Sequence, residues 1–255
     1  TKLELGGEQR EMTFLFTDIA GFTAFAENID PAVLTKTLNA YLDQMCQIVM
    51  AHGGTIDKIV GDAVHALFNA PIDQPDHAQR AVTCGLALDA FGKEFAQRMR
   101  ADGLNFGHTR IGINTGRCVV GNFGGSQRFD YTAHGDAINT AARLEAANKH
   151  LGTTICVAGS TADQCRDIAF RPIGSLLLQG RQRGLDTFEP IPASEGKSQR
   201  FHDYNSAFAL ISAAAPEALQ AFGNLVGRYP QDRLAAMHFR RLSDGQAGTE
   251  FRVEK

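Results

Sequence analysis

At 255 residues the chain is one large or two small domains, with ample length for a core. Its 44% apolar and 21% charged residues are those of an ordinary soluble protein, and a net charge of −3 excludes the basic field that wraps nucleic acid, so no nucleic-acid partner is expected. Five scattered cysteines without a CxxC pair exclude a zinc ribbon and read as free thiols in a reducing compartment, and no apolar run is long enough for a signal peptide or a membrane span.

Met12 to Thr17 is a short apolar run, read as a central strand ending at Asp18. Pro31 opens a helix to about Ala51, with Leu34, Leu38, Leu42, Met45 and Val49 on one face, and Gly53-Gly54 ends it. Thr55 to Val60 and Ala63 to Phe68 predict a hairpin turning at Gly61-Asp62. A second amphipathic helix runs from Asp76 to about Met99. Phe106 to Asn114 and Arg117 to Phe123 predict another hairpin, turning at Thr115-Gly116. A loop from Gly124 to His134 leads into a third helix, Asp136 to about Leu151, with Asp136 as its N-cap. Further strands are expected at Thr154 to Ala158, near Ile173 to Leu178, and at Thr187 to Ile191. This order predicts an α+β fold of ferredoxin-like (βαββαβ) type, with helices on one face of a mostly antiparallel sheet.

Composition shifts at Pro190-Ile-Pro192-Ala-Ser-Glu-Gly-Lys, a linker signal. This divides the chain into a main domain over 1–192 and a linker with a short helical extension over 193–255. Phe201 to Ile211, Glu217 to Gly227 and Arg233 to Arg241 read as three helices, and Ala218…Ala221-Phe222…Tyr229-Pro230 resembles one tetratricopeptide-type unit. One such unit cannot bury its own apolar face, so it must pack on the main domain or on a partner.

Chemistry concentrates in three segments. Phe16-Thr-Asp18-Ile-Ala-Gly-Phe-Thr23 and Lys58-Ile-Val-Gly-Asp62 each place an aspartate at a strand edge beside a glycine. Two carboxylates delivered this way suit a pair of divalent cations over a polyphosphate. Alone, either aspartate reads as a solvated turn residue. The third segment, Arg128-Phe-Asp-Tyr-Thr132-Ala-His-Gly-Asp-Ala-Ile-Asn139-Thr-Ala-Ala-Arg143, sets Asn139 and Arg143 one helical turn apart on one face.

Together the three segments resemble the catalytic domain of class III nucleotidyl cyclases, of the bacterial adenylate cyclase type, from about Glu11 to Pro190. The resemblance implies conversion of ATP to 3′,5′-cyclic AMP and pyrophosphate. It implies two Mg²⁺ or Mn²⁺ ions held by Asp18, Asp62 and the Ile19 carbonyl, and a triphosphate cradled by backbone amides from Ala20 through Gly21, Phe22 and Thr23. Lys58 and Thr132 fill the places that read the adenine edge, where guanylate cyclases commonly carry glutamate and cysteine. Asn139 would orient the ribose, and Arg143 would meet charge developing at the α-phosphate. Where the family shows Leu-Lys-Gly-Lys this chain has Leu178-Gln179-Gly180-Arg181, so Arg181, or Arg183, stands in for the phosphate-binding lysine.

The resemblance further implies a homodimer with each site shared between subunits. Two alternatives stay open: GTP as substrate, or an inactive nucleotide-binding regulatory domain. The chain starts at Thr1 rather than methionine, which reads as a segment of a longer protein. A missing upstream sensor and a cytoplasmic location, free or as the cytoplasmic part of a membrane-bound protein, are therefore expected.

Overall fold

The computed structural model describes residues 6–125, 129–178 and 183–253. β1 (Gly6–Ile19) leads into α1 (Phe22–Glu27) and α2 (Pro31–Ala51). β2 (Thr55–Val60), β3 (Ala63–Phe68) and α3 (His77–Ala101) follow. Next come β4 (Thr109–Gly124), β5 (Phe129–His134), α4 (Asp136–Leu151) and β6 (Ile155–Ala158). α5 (Gly159–Ala162), β7 (Ala169–Leu177) and β8 (Leu185–Ile191) precede three helices, α6 (Gln199–Ser212), α7 (Ala218–Arg228) and α8 (Arg233–Ser243), and a short strand, β9 (Glu250–Arg252).

The strands form one sheet in the order β2-β3-β1-β4-β6-β8-β7-β9, with β5 pairing β4 beside that path. The β2-β3-β1-β4 part has the expected ferredoxin-like order, every pair antiparallel. Parallel pairing is confined to β4 with β6 and β7 with β9.

Helices cover both faces of this sheet, which corrects the one-face expectation. Side chains alternate along β1. Leu15 and Ile19 pack with Tyr41, Met45 and Val49 of α2 and with Ala81, Val82, Leu88 and Phe95 of α3. Met12, Phe14 and Phe16 point the other way, onto Ala137 and Ala141 of α4. A strand buried on both faces reads as a continuous apolar run without polar alternation, as Met12 to Thr17 does, so the second layer was foreshadowed by that run.

The predicted turn at Thr115-Gly116 is also corrected, because β4 runs unbroken through it. Its polar groups are satisfied inside the molecule. The Thr115 hydroxyl lies 2.8 Å from that of Thr13 and 2.9 Å from that of Thr161, and Asn114 Nδ2 donates to the Ala137 carbonyl at 2.8 Å. The hairpin partner of β4 is β5, which pairs antiparallel with Val119 to Gly124, while β1 pairs with the other edge of β4. Gly112 fixes the approach of α4 to this long strand: a Cβ there would collide with the Ala141 carbonyl and the Glu145 amide.

The C-terminal helices bury their apolar face on the main body, as a lone helical unit must. Tyr204, Phe208, Phe222, Leu225 and Leu234 share one cluster with Leu144 and Leu151 of α4 and Ile173 and Leu176 of β7. A buried ion pair ties the join: Arg171 contacts Glu189 and reaches Asp232 Oδ2 at 2.5 Å. Arg171 is shared by the two carboxylates, so deleting it would leave buried charge uncompensated, at a cost of about 3–5 kcal/mol. All five cysteines are free, Cys84, Cys118 and Cys156 being buried.

Candidate active site

β1 carries Asp18 to its C-terminal edge, and the β2–β3 hairpin carries Asp62 to the same place. The turn is only two residues long. Gly61 sits at φ 63°, a left-handed conformation that a side chain disfavours. The Ile19 N–H donates to Asp62 Oδ2 at 2.8 Å, which fixes one carboxylate against the end of the strand bearing the other. Burial pushes the Asp62 carboxyl above its ordinary range; the Ile19 amide pulls it down and the Asp18 charge pushes it up.

A third carboxyl and a guanidinium complete this cluster, and neither was singled out from sequence. Arg110 lies directly across the β1–β4 register from Asp18, and its Nη2 donates to Asp18 Oδ2. Its Nε stands 2.9 Å from Glu145 Oε1 on α4. Burial pushes the Glu145 carboxyl up to about 7, against the downward pull of Arg110. The available signal was a lone arginine in the otherwise apolar start of β4; the register that aims it at Asp18 is tertiary information.

The donor set fits divalent cations. Two half-buried carboxylates share one strand edge, and the Asp18 side chain is 31% exposed, with Arg110 on one of its oxygens. Hard cations favour such oxygen ligands. No group of three or more His, Cys, Asp or Glu side chains is gathered for a metal among the described residues. Next to it, α1 begins after Gly21 with a first intrahelical bond from Phe25 N–H to the Gly21 carbonyl at 3.1 Å. The amides of Phe22 and Thr23 precede that bond, as uncommitted donors do at any helix start.

The other expected residues stand elsewhere. Asn139 is exposed and Arg143 half-buried on α4, and neither has a side-chain hydrogen bond or ion pair among the described residues. Asp136 occupies the first helical position, one residue inside the N-cap Gly135. Thr132 is buried on β5 opposite Gly121 of β4. Asp18 pairs with Arg110 on that same strand, so the two levels are about 36 Å apart along extended chain. Lys58 is exposed on β2, its Nζ 3.3 Å from Asp57 Oδ2, with β3, β1 and β4 lying between it and β5. Arg181 lies outside the described residues, and Arg183 is exposed.

One chain therefore gathers Asp18, Asp62 and the α1 amides at one end, and presents Asn139 and Arg143 separately. Residues 7–189 match the family model of the adenylate and guanylate cyclase catalytic domain. The chain belongs to that family. It is 41% identical over 184 residues to adenylate cyclase 1 of Rhizobium meliloti, a match covering 72% of this chain and 28% of that protein. It is 38% identical over 193 residues to an adenylate cyclase of Anabaena cylindrica, covering 73% of this chain and 38% of that one. Among solved structures, the adenylyl cyclase CyaB from P. aeruginosa superposes with a TM-score of 0.68 at 36% identity, over 74% of this chain and 97% of that one. The match thus spans less than two fifths of the length of either curated relative, and the family model ends before α6.

Proposed function

We propose that this cyclase domain is an adenylate cyclase, converting ATP to 3′,5′-cyclic AMP and pyrophosphate at two sites shared between the subunits of a homodimer. One observation supports the reading: the chain assembles a carboxylate pair, Asp18 and Asp62, and carries Asn139 and Arg143 apart from it on one flank of α4. The Rhizobium, Anabaena and Pseudomonas relatives named for this activity support the choice of nucleotide. Exposed apolar residues stand beside the carboxylate half and beside Thr132: Ile59 and Val60 (47% and 55% exposed) precede Gly61-Asp62, and Tyr131 precedes Thr132.

In this account Asp18, Asp62 and the Ile19 carbonyl hold two divalent ions, Mg²⁺ or Mn²⁺. Those ions supply charge neutralisation for the triphosphate and acidify the ribose 3′-hydroxyl. The amides of Gly21, Phe22 and Thr23 donate to phosphate oxygens, the Ala20 N–H being held by the His108 carbonyl at 2.9 Å, with Arg181 or Arg183 adding charge. The family resemblance gives the adenine edge to Lys58 and Thr132 of the second subunit, residues that β3, β1 and β4 separate within one chain, and the ribose to Asn139. Arg143 donates to the α-phosphate oxygens as the 3′-oxygen attacks phosphorus and the bond to the pyrophosphate oxygen breaks, a fixed donor placed where charge develops. The 3′-hydroxyl proton leaves to water or substrate phosphate.

We assign catalysis to 1–192 and treat 193–255 as an extension docked on it. An upstream sensor and a cytoplasmic location belong to the same proposal; no helix among the described residues is long and apolar enough to cross a membrane. The test is turnover of radiolabelled ATP and GTP with Mn²⁺, with products separated by chromatography. The account predicts cyclic AMP as the main product, and either dominant cyclic GMP or no product at all contradicts it.

A further inference from the structure

We propose that Arg110 is a built-in counter-cation for Asp18, displaced when a divalent ion binds, and that Glu145 is the seat that receives it. This rests on the metal site proposed above.

Arg110 and Asp18 face each other across β1 and β4, and the guanidinium donates straight to Asp18 Oδ2. The arginine side chain is only 15% exposed, so its attraction to Asp18 is weakly screened. A divalent ion needs the same carboxylate oxygen and repels the guanidinium already on it. Arginine cannot relieve that conflict by losing its proton, so it must move.

A destination already exists. Glu145 Oε1 is 2.9 Å from Arg110 Nε, yet both atoms are buried without an aligned hydrogen bond. Buried polar atoms are normally satisfied, and a finished structural ion pair would have both engaged. Here the aligned donor goes to Asp18, and the contact with Glu145 is left incomplete. A small rotation of the planar fork would satisfy Glu145 with charge-assisted bonds and free Asp18. Gly112 makes this possible by letting α4 close on β4 until Glu145 reaches the level of Arg110. The exchange keeps every buried charge paired.

The test is Mn²⁺ binding to the intact chain without nucleotide, followed by EPR of the free ion, with thermal unfolding as a check on folding. Arg110→Gln should tighten Mn²⁺ by on the order of tenfold, because a competing cation is gone. Glu145→Gln should weaken it by a similar factor, because the displaced guanidinium has nowhere to go. The double variant should bind like Arg110→Gln, since a seat without an occupant is irrelevant; a further loss in the double variant means that Glu145 acts only through its general field, and overturns the seat. Asp18→Asn separates the two claims. Mn²⁺ retained by Asp18→Asn overturns the metal site itself, whereas loss there with unchanged affinity in a folded Arg110→Gln overturns the counter-cation alone. Should Arg110→Gln unfold, Glu145→Gln decides: an affinity equal to or above wild type contradicts the proposal.

Discussion

Arg143 and Glu145 stand two residues apart on α4 and occupy opposite flanks of it, since each helical residue turns the chain by about 100°. Glu145 faces Arg110 and through it Asp18, whereas Arg143 shares the other flank with Asn139. The same helix therefore serves the carboxylate cluster on one flank and offers the two polar donors on the other.

Removing a carboxylate should abolish chemistry at little structural cost. Asp62→Ala loses the hydrogen bond from the Ile19 amide, worth about 1 kcal/mol, and relieves repulsion with Asp18. Turnover at saturating Mn²⁺ should fall to background while the melting temperature moves only a few degrees. Retained turnover would remove the carboxylates from the metal site.

Arg143→Ala and Asn139→Ala should act on kcat rather than KM. Neither side chain is engaged in the structure, so alanine costs the fold little. A donor used mainly in the transition state is worth about 10²–10³ in kcat. Steady-state kinetics showing a pure KM effect would reassign both to ground-state binding.

Base choice is expected to follow Lys58 and Thr132. Lys58→Glu with Thr132→Cys leaves adenine edges unpaired, which should shift the ATP:GTP ratio of kcat/KM toward GTP on the order of tenfold. An unaltered ratio would mean that the base is read elsewhere.

Acid should destabilise the C-terminal helices through His238. Burial among Tyr204, Phe208, Phe222 and Phe251, with Arg241 beside it, pushes this imidazole down to about 3. Its folded value lies below the unfolded one, so its contribution is complete above about pH 6.5 and is lost as pH falls towards 3. Each unit in that window costs up to about 1.4 kcal/mol from this group. His238→Gln keeps an acceptor for Arg241, and denaturant melts between pH 4 and 7 should show a shallower slope for it.

The helices and the aspartate-bearing turns were legible because each is written locally: periodicity for α2, α3 and α4, Gly61 beside Asp62, and Gly21 three residues after Asp18. Arg110 and Glu145 were not, because what matters is their meeting, fixed by the register of β1 on β4 and the close packing permitted by Gly112. Thr115-Gly116 misled for the opposite reason. It looks like a turn, but Thr13, Thr161 and Ser160 satisfy it from distant parts of the chain. β9 is three residues long and depends wholly on β7 for its pairing, so no local pattern marks it.

The most direct test of the shared site is complementation between two dead variants. Asp18→Ala and Arg143→Ala should each be inactive alone, since every site in either homodimer lacks one essential group. After subunit exchange, a mixed dimer carries both lesions in one site and neither in the other. With free exchange and independent sites, activity should return to about a quarter of wild type, half the dimers being mixed with one intact site each. A mixture that stays inactive, with exchange verified by differently tagged subunits, would contradict a site built from two chains.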